Sequence, residues 1–209
     1  SSSYALSGND VTALMNKGSL GGAMTLNGNV KFANSGFESW VVGDVITRSL
    51  SEPFFPTNSY TIAVTFDITD YVSSTFRFAY KLIGTGGTSV DKAVYSSNSV
   101  NVTRHYSIIG NTVLNDAPLV KQLITIIETF DINTLEIKML NYNGNIVTST
   151  QSQPTNSNDG LINLLSADIT SGQFLGQNNP LHEFRLYDRA FSLTQMQDLQ
   201  TELNNKYTP

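Results

Sequence analysis

The clearest indication of the fold is the segment GQFLGQNNPLHEFRLYDRAFSLTQMQDLQTEL, residues 172–203. It begins with an aromatic residue between glycines and continues through a loop into a strand-like segment. Ser192 follows, with Gln195 three residues later, which is the spacing of a capping box at the start of a helix. Apolar residues then recur every three or four positions, so the helix has one apolar stripe that should face the body of the protein. The stripe consists of Leu193, Met196, Leu199 and Leu203.

Upstream, the chain is a series of short alternating segments separated by turn residues, which is typical of β-strands. The alternating segments are 59–68, 76–83, 101–109, 122–130 and 134–140. Asn143-Gly144 predicts a hairpin because both residue types tolerate positive φ, and residues 148–160 form a polar stretch without a period, predicted to be a loop. Many short strands with a single helix predict an all-β fold, a two-sheet antiparallel jelly-roll sandwich with one short C-terminal helix.

Composition limits the possible functions. The chain has 209 residues, 40% of them hydrophobic, and shows no internal change in composition, so a single domain over 1–209 is expected. Net charge is −5 and no Lys/Arg cluster occurs, which argues against nucleic acid as a partner. No apolar run is long enough for membrane insertion, and the opening SSSYALSG lacks the features of a signal peptide. The absence of cysteine excludes disulfides and thiolate metal sites.

Residues 172–192 resemble the closing signature of the concanavalin A-like, laminin-G-type jelly rolls of bacterial and phage surface proteins. That signature is an aromatic flanked by glycines, here Gly172, Phe174 and Gly176, followed by a strand similar to LHEFRLYDRAFS (181–192). Segment 18–37 resembles the glycine-rich opening of the family, and segment 134–145 resembles the family's strand that ends in an Asn-Gly hairpin. The resemblance implies that the last strand returns to the middle of the sandwich, that the helix closes one edge, and that a contact between Glu183 and Arg185 fastens it. The family has Asp where this chain has His182, so a calcium role of that Asp is not carried over.

Catalytic signatures known on this fold are missing. The E-x-D-x-x-E string of retaining glucanases does not occur, and the spacing of Glu128 and Asp131 places their carboxylates on opposite faces of a strand. Neither lyase motifs nor a G-x-S-x-G sequence is present. The protein is therefore predicted not to be an enzyme. No cofactor is expected, although Asp67 with Asp70, or residues 156–160, leave calcium open as an alternative.

The function implied by the resemblance is recognition. We expect a non-catalytic carbohydrate-binding module of a phage tail or bacterial surface protein, located extracellularly, at a cell surface or in a virion. Its partners would be a polysaccharide or other glycan and the other subunits of such an assembly. The alternative is a structural or protein-docking domain of the same assembly that binds no sugar. An extended apolar, uncharged patch on the surface would favour this alternative.

Sugar sites combine aromatic faces with amides, carboxylates or other hydrogen-bonding groups. The period of two along the strands nominates the polar side of one sheet face, with two tyrosines in loops at its rim. Trp40, which stands among apolar residues, is expected in the core rather than in a ligand platform. The predicted carbohydrate-binding residues are Arg77, Lys81, Tyr95, His105, Glu136, Lys138 and Tyr142.

Overall fold

The computed structural model describes sixteen strands and one helix. The described residues are 4–15, 23–49, 59–68, 77–84, 89–96, 102–107, 112–115, 122–150, 158–166 and 178–208. The strands are β1 (Tyr4–Ser7), β2 (Asp10–Leu14), β3 (Thr25–Asn27), β4 (Lys31–Ala33), β5 (Gly36–Glu38), β6 (Val45–Ser49), β7 (Tyr60–Ile68), β8 (Arg77–Gly84), β9 (Ser89–Ser96), β10 (Val102–Ser107), β11 (Thr112–Asn115), β12 (Gln122–Asp131), β13 (Glu136–Leu140), β14 (Ile146–Thr150), β15 (Asn158–Leu164) and β16 (Leu181–Tyr187), and the helix is α1 (Leu193–Tyr207).

The strands form two antiparallel sheets. The nine-stranded sheet has the order β1-β2-β4-β5-β16-β7-β12-β13-β14, and the seven-stranded sheet has the order β11-β10-β9-β8-β15-β6-β3. Strands that are distant in sequence are neighbours in both sheets, as a jelly roll requires. The predicted fold class is therefore confirmed.

The core lies between the inner faces of the two sheets. Strand β7 contributes Tyr60, Ile62, Val64 and Phe66, all fully buried, which confirms the predicted apolar face of segment 59–68. Across the sandwich, the ring of Tyr80 on β8 lies 5.2 Å from that of Phe184 on β16. Such aromatic contacts between the sheets contribute beyond the area they bury.

Strand β16 lies in the middle of the nine-stranded sheet. It pairs with β7 from Leu181 opposite Phe66 to Tyr187 opposite Thr61, and with β5 through Leu181 opposite Phe37. The last strand therefore does return to the middle of the sandwich. The glycine-bracketed aromatic at 172–176, on which part of the resemblance rests, lies outside the described residues.

Helix α1 covers the outer face of the nine-stranded sheet. Both hydrogen bonds of the predicted capping box between Ser192 and Gln195 are present. The apolar face of the helix packs on Ala63 of β7, Ile127 of β12 and Leu140 of β13, three adjacent strands of this sheet. The helix therefore covers a face, and the expectation that it closes an edge was wrong.

The apolar stripe of the helix differs from the predicted one at a single position. Met196, Leu199 and Leu203 are buried, whereas Leu193 is 40% exposed. The fourth buried residue of the helix is Gln200, whose side chain donates hydrogen bonds to the backbone carbonyls of Thr125 and Asn141. Leu193 is the first residue of the helix.

Glu183 ties α1 to β16. Its carboxylate accepts hydrogen bonds from Arg185 Nε (2.5 Å), Lys206 Nζ (2.6 Å) and the Tyr207 hydroxyl (2.5 Å). Burial raises the pKa of Glu183, but the hydrogen bonds from these three residues outweigh it and the net shift is downward. The predicted contact between Glu183 and Arg185 is present, and Arg185 Nη2 also donates to Glu202 of the helix at 2.8 Å.

Local predictions met mixed outcomes. The hairpin containing Asn143-Gly144 is present between β13 and β14, but only Gly144 has a positive φ (83°), because the connection runs over residues 141–145 and is organised by the Asn141 side chain. Strands β14 and β15 occupy both ends of the predicted loop 148–160, whose middle, 151–157, lies outside the described residues. Tyr95 lies in β9, so its placement in a loop was wrong.

Candidate functional site

The seven predicted binding residues do not share one sheet face. Lys81 lies on β8 in the seven-stranded sheet, beside the buried Tyr80 that faces the core. Glu136 and Lys138 lie on β13 in the nine-stranded sheet and flank Ile137, which also faces the core. The charged side chains of the two strands therefore lie on opposite outer faces of the sandwich. The prediction that they group together was wrong, because strands with the same alternation entered different sheets.

Within each sheet the predicted residues have ordinary surroundings. Glu136 and Lys138 form an ion pair with each other on the outer face, and Tyr142 is half-buried against the core. Arg77, Tyr95 and His105 lie on β8, β9 and β10 of the seven-stranded sheet, and their side chains lie outside the described part of the structure. A role of any of these residues in sugar binding stays a prediction.

A different surface combines aromatic and polar groups. Residues 39–44 form the loop that leads from β5 in the nine-stranded sheet to β6 in the seven-stranded sheet, at one end of the sandwich. Trp40, Val41 and Val42 in this loop are 37%, 59% and 50% exposed. The expectation that Trp40 lies in the core was wrong.

Asp44 fixes the conformation of this loop. Its side chain is buried and accepts hydrogen bonds from the backbone N–H groups of Trp40 (2.9 Å), Val41 (3.2 Å) and Asn29 (2.7 Å). Asn29 belongs to the turn between β3 and β4, so one carboxylate joins two connections at the end of the sandwich. Charge-assisted hydrogen bonds of this kind are among the stronger ones in proteins.

A second buried carboxylate fixes the indole ring. Glu38 Oε2 accepts from Trp40 Nε1 at 2.7 Å and from the backbone N–H of Asn178 at 3.1 Å, and Glu38 Oε1 accepts from Asn34 Nδ2 at 2.8 Å. Glu38 is fully buried. It therefore joins three connections: the turn before β5, the loop 39–44 and the segment before β16.

Lys31 lies beside the indole. Its ammonium nitrogen is 5.5 Å from the centre of the Trp40 ring and forms an ion pair with Asp10. A cation at this distance from a ring is attracted to the aromatic face. The indole is thus held by a hydrogen bond at its edge and by a cation near its ring.

We call the exposed residues around this ring the Trp40 surface. It consists of Trp40, Val41, Val42 and the exposed residues Asn29, Asn34 and Asn178. An apolar ring flanked by amide groups suits a ligand that has both an apolar face and hydroxyl groups. Among the described residues, no group of three or more His, Asp or Glu side chains could hold a metal ion.

The sequence around Trp40 contains a signal for this surface. The apolar run Trp40-Val41-Val42 stands between Glu38 and Asp44 and is followed by Gly43. A strand in the core would rarely be closed off by carboxylates after so few residues, whereas a loop capped by an acidic side chain has this composition. The bracketing acids therefore favoured a loop.

Comparisons with known proteins show similarity in structure alone. No family model matches the sequence, and comparison with curated proteins finds no relative. A Trypanosoma rangeli sialidase, solved with a difluorinated KDN, matches with a TM-score of 0.66 and 11% identity over 99% of this chain and 33% of the sialidase chain. The binding domain of botulinum neurotoxin DC, in complex with SialylT, matches with a TM-score of 0.64 and 14% identity over 91% of this chain and 48% of that one.

A third protein is structurally similar to this chain to about the same degree. The binding domain of botulinum neurotoxin serotype D matches with a TM-score of 0.65 and 11% identity over 93% of this chain and 50% of its own. The chain thus spans between a third and a half of these proteins. At such identities the similarity establishes the β-sandwich fold. No helix in the described part of the chain is long and apolar enough to cross a bilayer.

Proposed function

We propose that the protein is a non-catalytic carbohydrate-binding module that recognises a cell-surface or cell-wall polysaccharide as part of a phage tail or bacterial surface protein. The observation that carries the proposal is the exposed indole of Trp40, fixed by the buried carboxylate of Glu38 that also binds Asn34. Extracellular, cell-surface or virion location belongs to the same proposal, as do other subunits of the assembly as partners.

Fixing the ring matters for the affinity of such a site. A sugar that stacks on an aromatic ring buries the apolar face of its C–H groups, while its hydroxyls need donors and acceptors nearby. Binding loses affinity when loops or side chains must first become ordered, at about 0.5–1.5 kcal/mol for each side chain. The hydrogen bonds from Trp40 to Glu38 and Asp44 remove most of this cost before the ligand arrives.

Two further points support the proposal. First, the structurally similar proteins include a sialidase in complex with difluorosialic acid, a neurotoxin binding domain in complex with SialylT, and botulinum neurotoxin type C, whose cell entry depends on interaction with two ganglioside molecules. Second, the end of the chain resembles the closing signature of lectin-like jelly rolls. The fold hosts many functions, however, so the function is argued from the Trp40 surface and the comparisons only accompany it.

The proposal is tested by a glycan array followed by calorimetric titration of the best oligosaccharide. Trp40→Ala is expected to weaken binding about tenfold or more, a loss of about 1.4 kcal/mol. Ile146→Ala is the matched control, because Ile146 is equally exposed at 37% but lies on the edge strand β14. Loss of binding in both variants, or in neither, would contradict the site, and a blank array would contradict the function.

The sheet-face prediction is tested in the same titration. Arg77→Ala and Lys81→Ala report on the outer face of the seven-stranded sheet, and Glu136→Ala reports on that of the nine-stranded sheet. If the ligand lies at the Trp40 surface, all three variants bind as the wild type does. A tenfold loss confined to one sheet would move the site to that face.

Docking of a protein is the second candidate function, and one observation favours it. Val41 and Val42 are exposed side by side with Trp40 in a fixed loop, and exposed apolar patches often mark protein interfaces. A double change, Val41→Ser with Val42→Ser, would abolish docking to an assembly subunit. The same change leaves the indole in place and should weaken sugar stacking much less than Trp40→Ala does.

A further inference from the structure

We propose that the Trp40 surface selects neutral sugars and discriminates against sialic acids and uronic acids. This inference rests on the proposed function, since it names the class of sugar bound at the same surface. It rests on the charges around the indole ring. These charges are fixed by the fold, since the Glu38 carboxylate accepts a hydrogen bond from the indole N–H and the Asp44 carboxylate accepts one from the backbone N–H of Trp40.

Two of the charges are the buried carboxylates that hold the loop. Within the described part of the chain, Glu38 accepts hydrogen bonds from neutral groups only, namely the amide of Asn34, the indole of Trp40 and a backbone N–H. Asp44 likewise accepts from three backbone N–H groups. Hydrogen bonds from neutral donors favour the charged form of a carboxylate and leave its charge uncancelled.

The cation beside the ring, Lys31, does not compensate them. Lys31 Nζ lies near the Trp40 ring, but it forms an ion pair with Asp10. Among the described residues, the groups in contact with Trp40 and with Lys31 comprise three carboxylates and one ammonium group, so two negative charges are left over. Lys31 and Asp10 are both partly exposed, with side-chain exposures of 19% and 49%, whereas Glu38 and Asp44 are buried. A ligand on the exposed Trp40 ring would lie on the solvent side, so salt still screens its interaction with these charges.

A carboxylate on a bound sugar would be repelled by this field. Two unit charges at about 8 Å each, in a medium close to water, reduce affinity by about fivefold together, and by more where water is excluded. A neutral pyranose has no such penalty, and its hydroxyls can still bind the exposed amides. The Trp40 surface therefore combines an aromatic ring for stacking with a negative electrostatic potential.

The test is an array of matched pairs, each a neutral oligosaccharide and the same compound with one added acidic sugar. Suitable pairs are lactose with 3′-sialyllactose, and xylotetraose with its glucuronosyl derivative. We expect the neutral member to bind at least about fivefold more tightly at low salt, with the ratio shrinking at high salt as the field is screened.

The two proposals fail in different ways in this experiment. Binding to neither member of any pair contradicts the carbohydrate function itself. Tighter binding of the acidic member, or equal binding of both, leaves the function standing and overturns the selectivity. A preference for neutral sugars that does not depend on salt would also overturn it, because the cause would then be shape rather than charge.

A charge variant locates the effect. Asp10→Asn removes one carboxylate and releases the ammonium group of Lys31 beside the indole, so the neutral-to-acidic ratio should fall about twofold or more. The matched control is Asp188→Asn, which changes the net charge equally at an exposed residue just beyond the far end of β16 from Asn178. Identical ratios in the two variants would show that the overall charge of the protein, rather than the Trp40 surface, sets the preference.

Discussion

Replacing Gly28 with alanine should damage the protein more than its position in a surface turn suggests. Gly28 has φ +69°, a conformation that costs an L-residue about 1–2 kcal/mol. A Cβ atom there would also meet the Gly43 carbonyl oxygen at 2.7 Å and carbonyl carbon at 2.9 Å, and would approach the Asp44 carboxylate still more closely. These are backbone atoms and a side chain held by three hydrogen bonds, so they can move aside only at a cost in packing and hydrogen bonding.

A second glycine serves as a control for the free-energy cost of the left-handed backbone conformation alone. Gly8 has φ +62° and nothing within 4 Å of an added Cβ. Gly8→Ala should therefore cost about 1 kcal/mol, because the left-handed penalty is partly offset by the lower entropy of the unfolded chain. Gly28→Ala carries the same term plus about 1–3 kcal/mol for overpacking, so the total is about 2–4 kcal/mol.

Thermal unfolding followed by circular dichroism measures the difference. For a chain of this length about 1 kcal/mol lowers Tm by about 2–4 °C, so Gly28→Ala should unfold several degrees below Gly8→Ala. Gly28→Ala should also lose glycan affinity, because the added Cβ displaces Asp44 and with it the Trp40 loop. Equal Tm values for the two variants would refute the reasoning, since Gly28 would then not pack against the loop 39–44.

Three further predictions concern the helix, acid stability and catalysis. Met196→Ala should lower the free energy of unfolding by about 2–5 kcal/mol in urea titrations, whereas Leu193→Ala, which truncates an exposed side chain of the same helix, should change it by less than about 1 kcal/mol. Because the pKa of Glu183 is lowered in the folded protein, its contribution to stability is complete above the unfolded pKa and is lost as the pH falls through the folded pKa; Tm should therefore decline less steeply below about pH 4.5 in Glu183→Gln than in the wild type. Incubation with β-glucans, alginate and cell-wall polysaccharide should release no reducing ends or unsaturated products, and either product from a purified, metal-supplemented sample would show that the protein is an enzyme.

The sequence predicted what local chemistry determines. The helix start at Ser192 depends on residues three positions apart, and the alternation of 59–68 depends on neighbours in the same strand, so both were predictable. The sheet to which a strand belongs depends on distant partners. Segments 76–83 and 134–140 have the same alternation, yet β8 and β13 lie in different sheets, and no local feature distinguishes them.

The candidate site was missed for a related reason. Trp40 stands in an apolar run, and apolar runs in an all-β chain are usually strands. Its exposure follows from the crossing of the chain from one sheet to the other at residues 39–44. The sequence feature that indicates this crossing is the pair of flanking acids, Glu38 and Asp44. Each of them accepts hydrogen bonds from residues of other turns.

The central position of β16 has a consequence for synthesis of the chain. Both strands that it joins, β5 and β7, leave the ribosome long before it does, so their hydrogen-bonding edges stay open until residues 181–187 emerge. The nascent chain must therefore avoid pairing with other nascent chains during that interval, when open strand edges are most prone to aggregation. Completion of the nine-stranded sheet by such a late, non-local strand also predicts slow folding. Chaperones that bind unfinished sheets are therefore expected to raise the yield of folded protein when it is made in quantity.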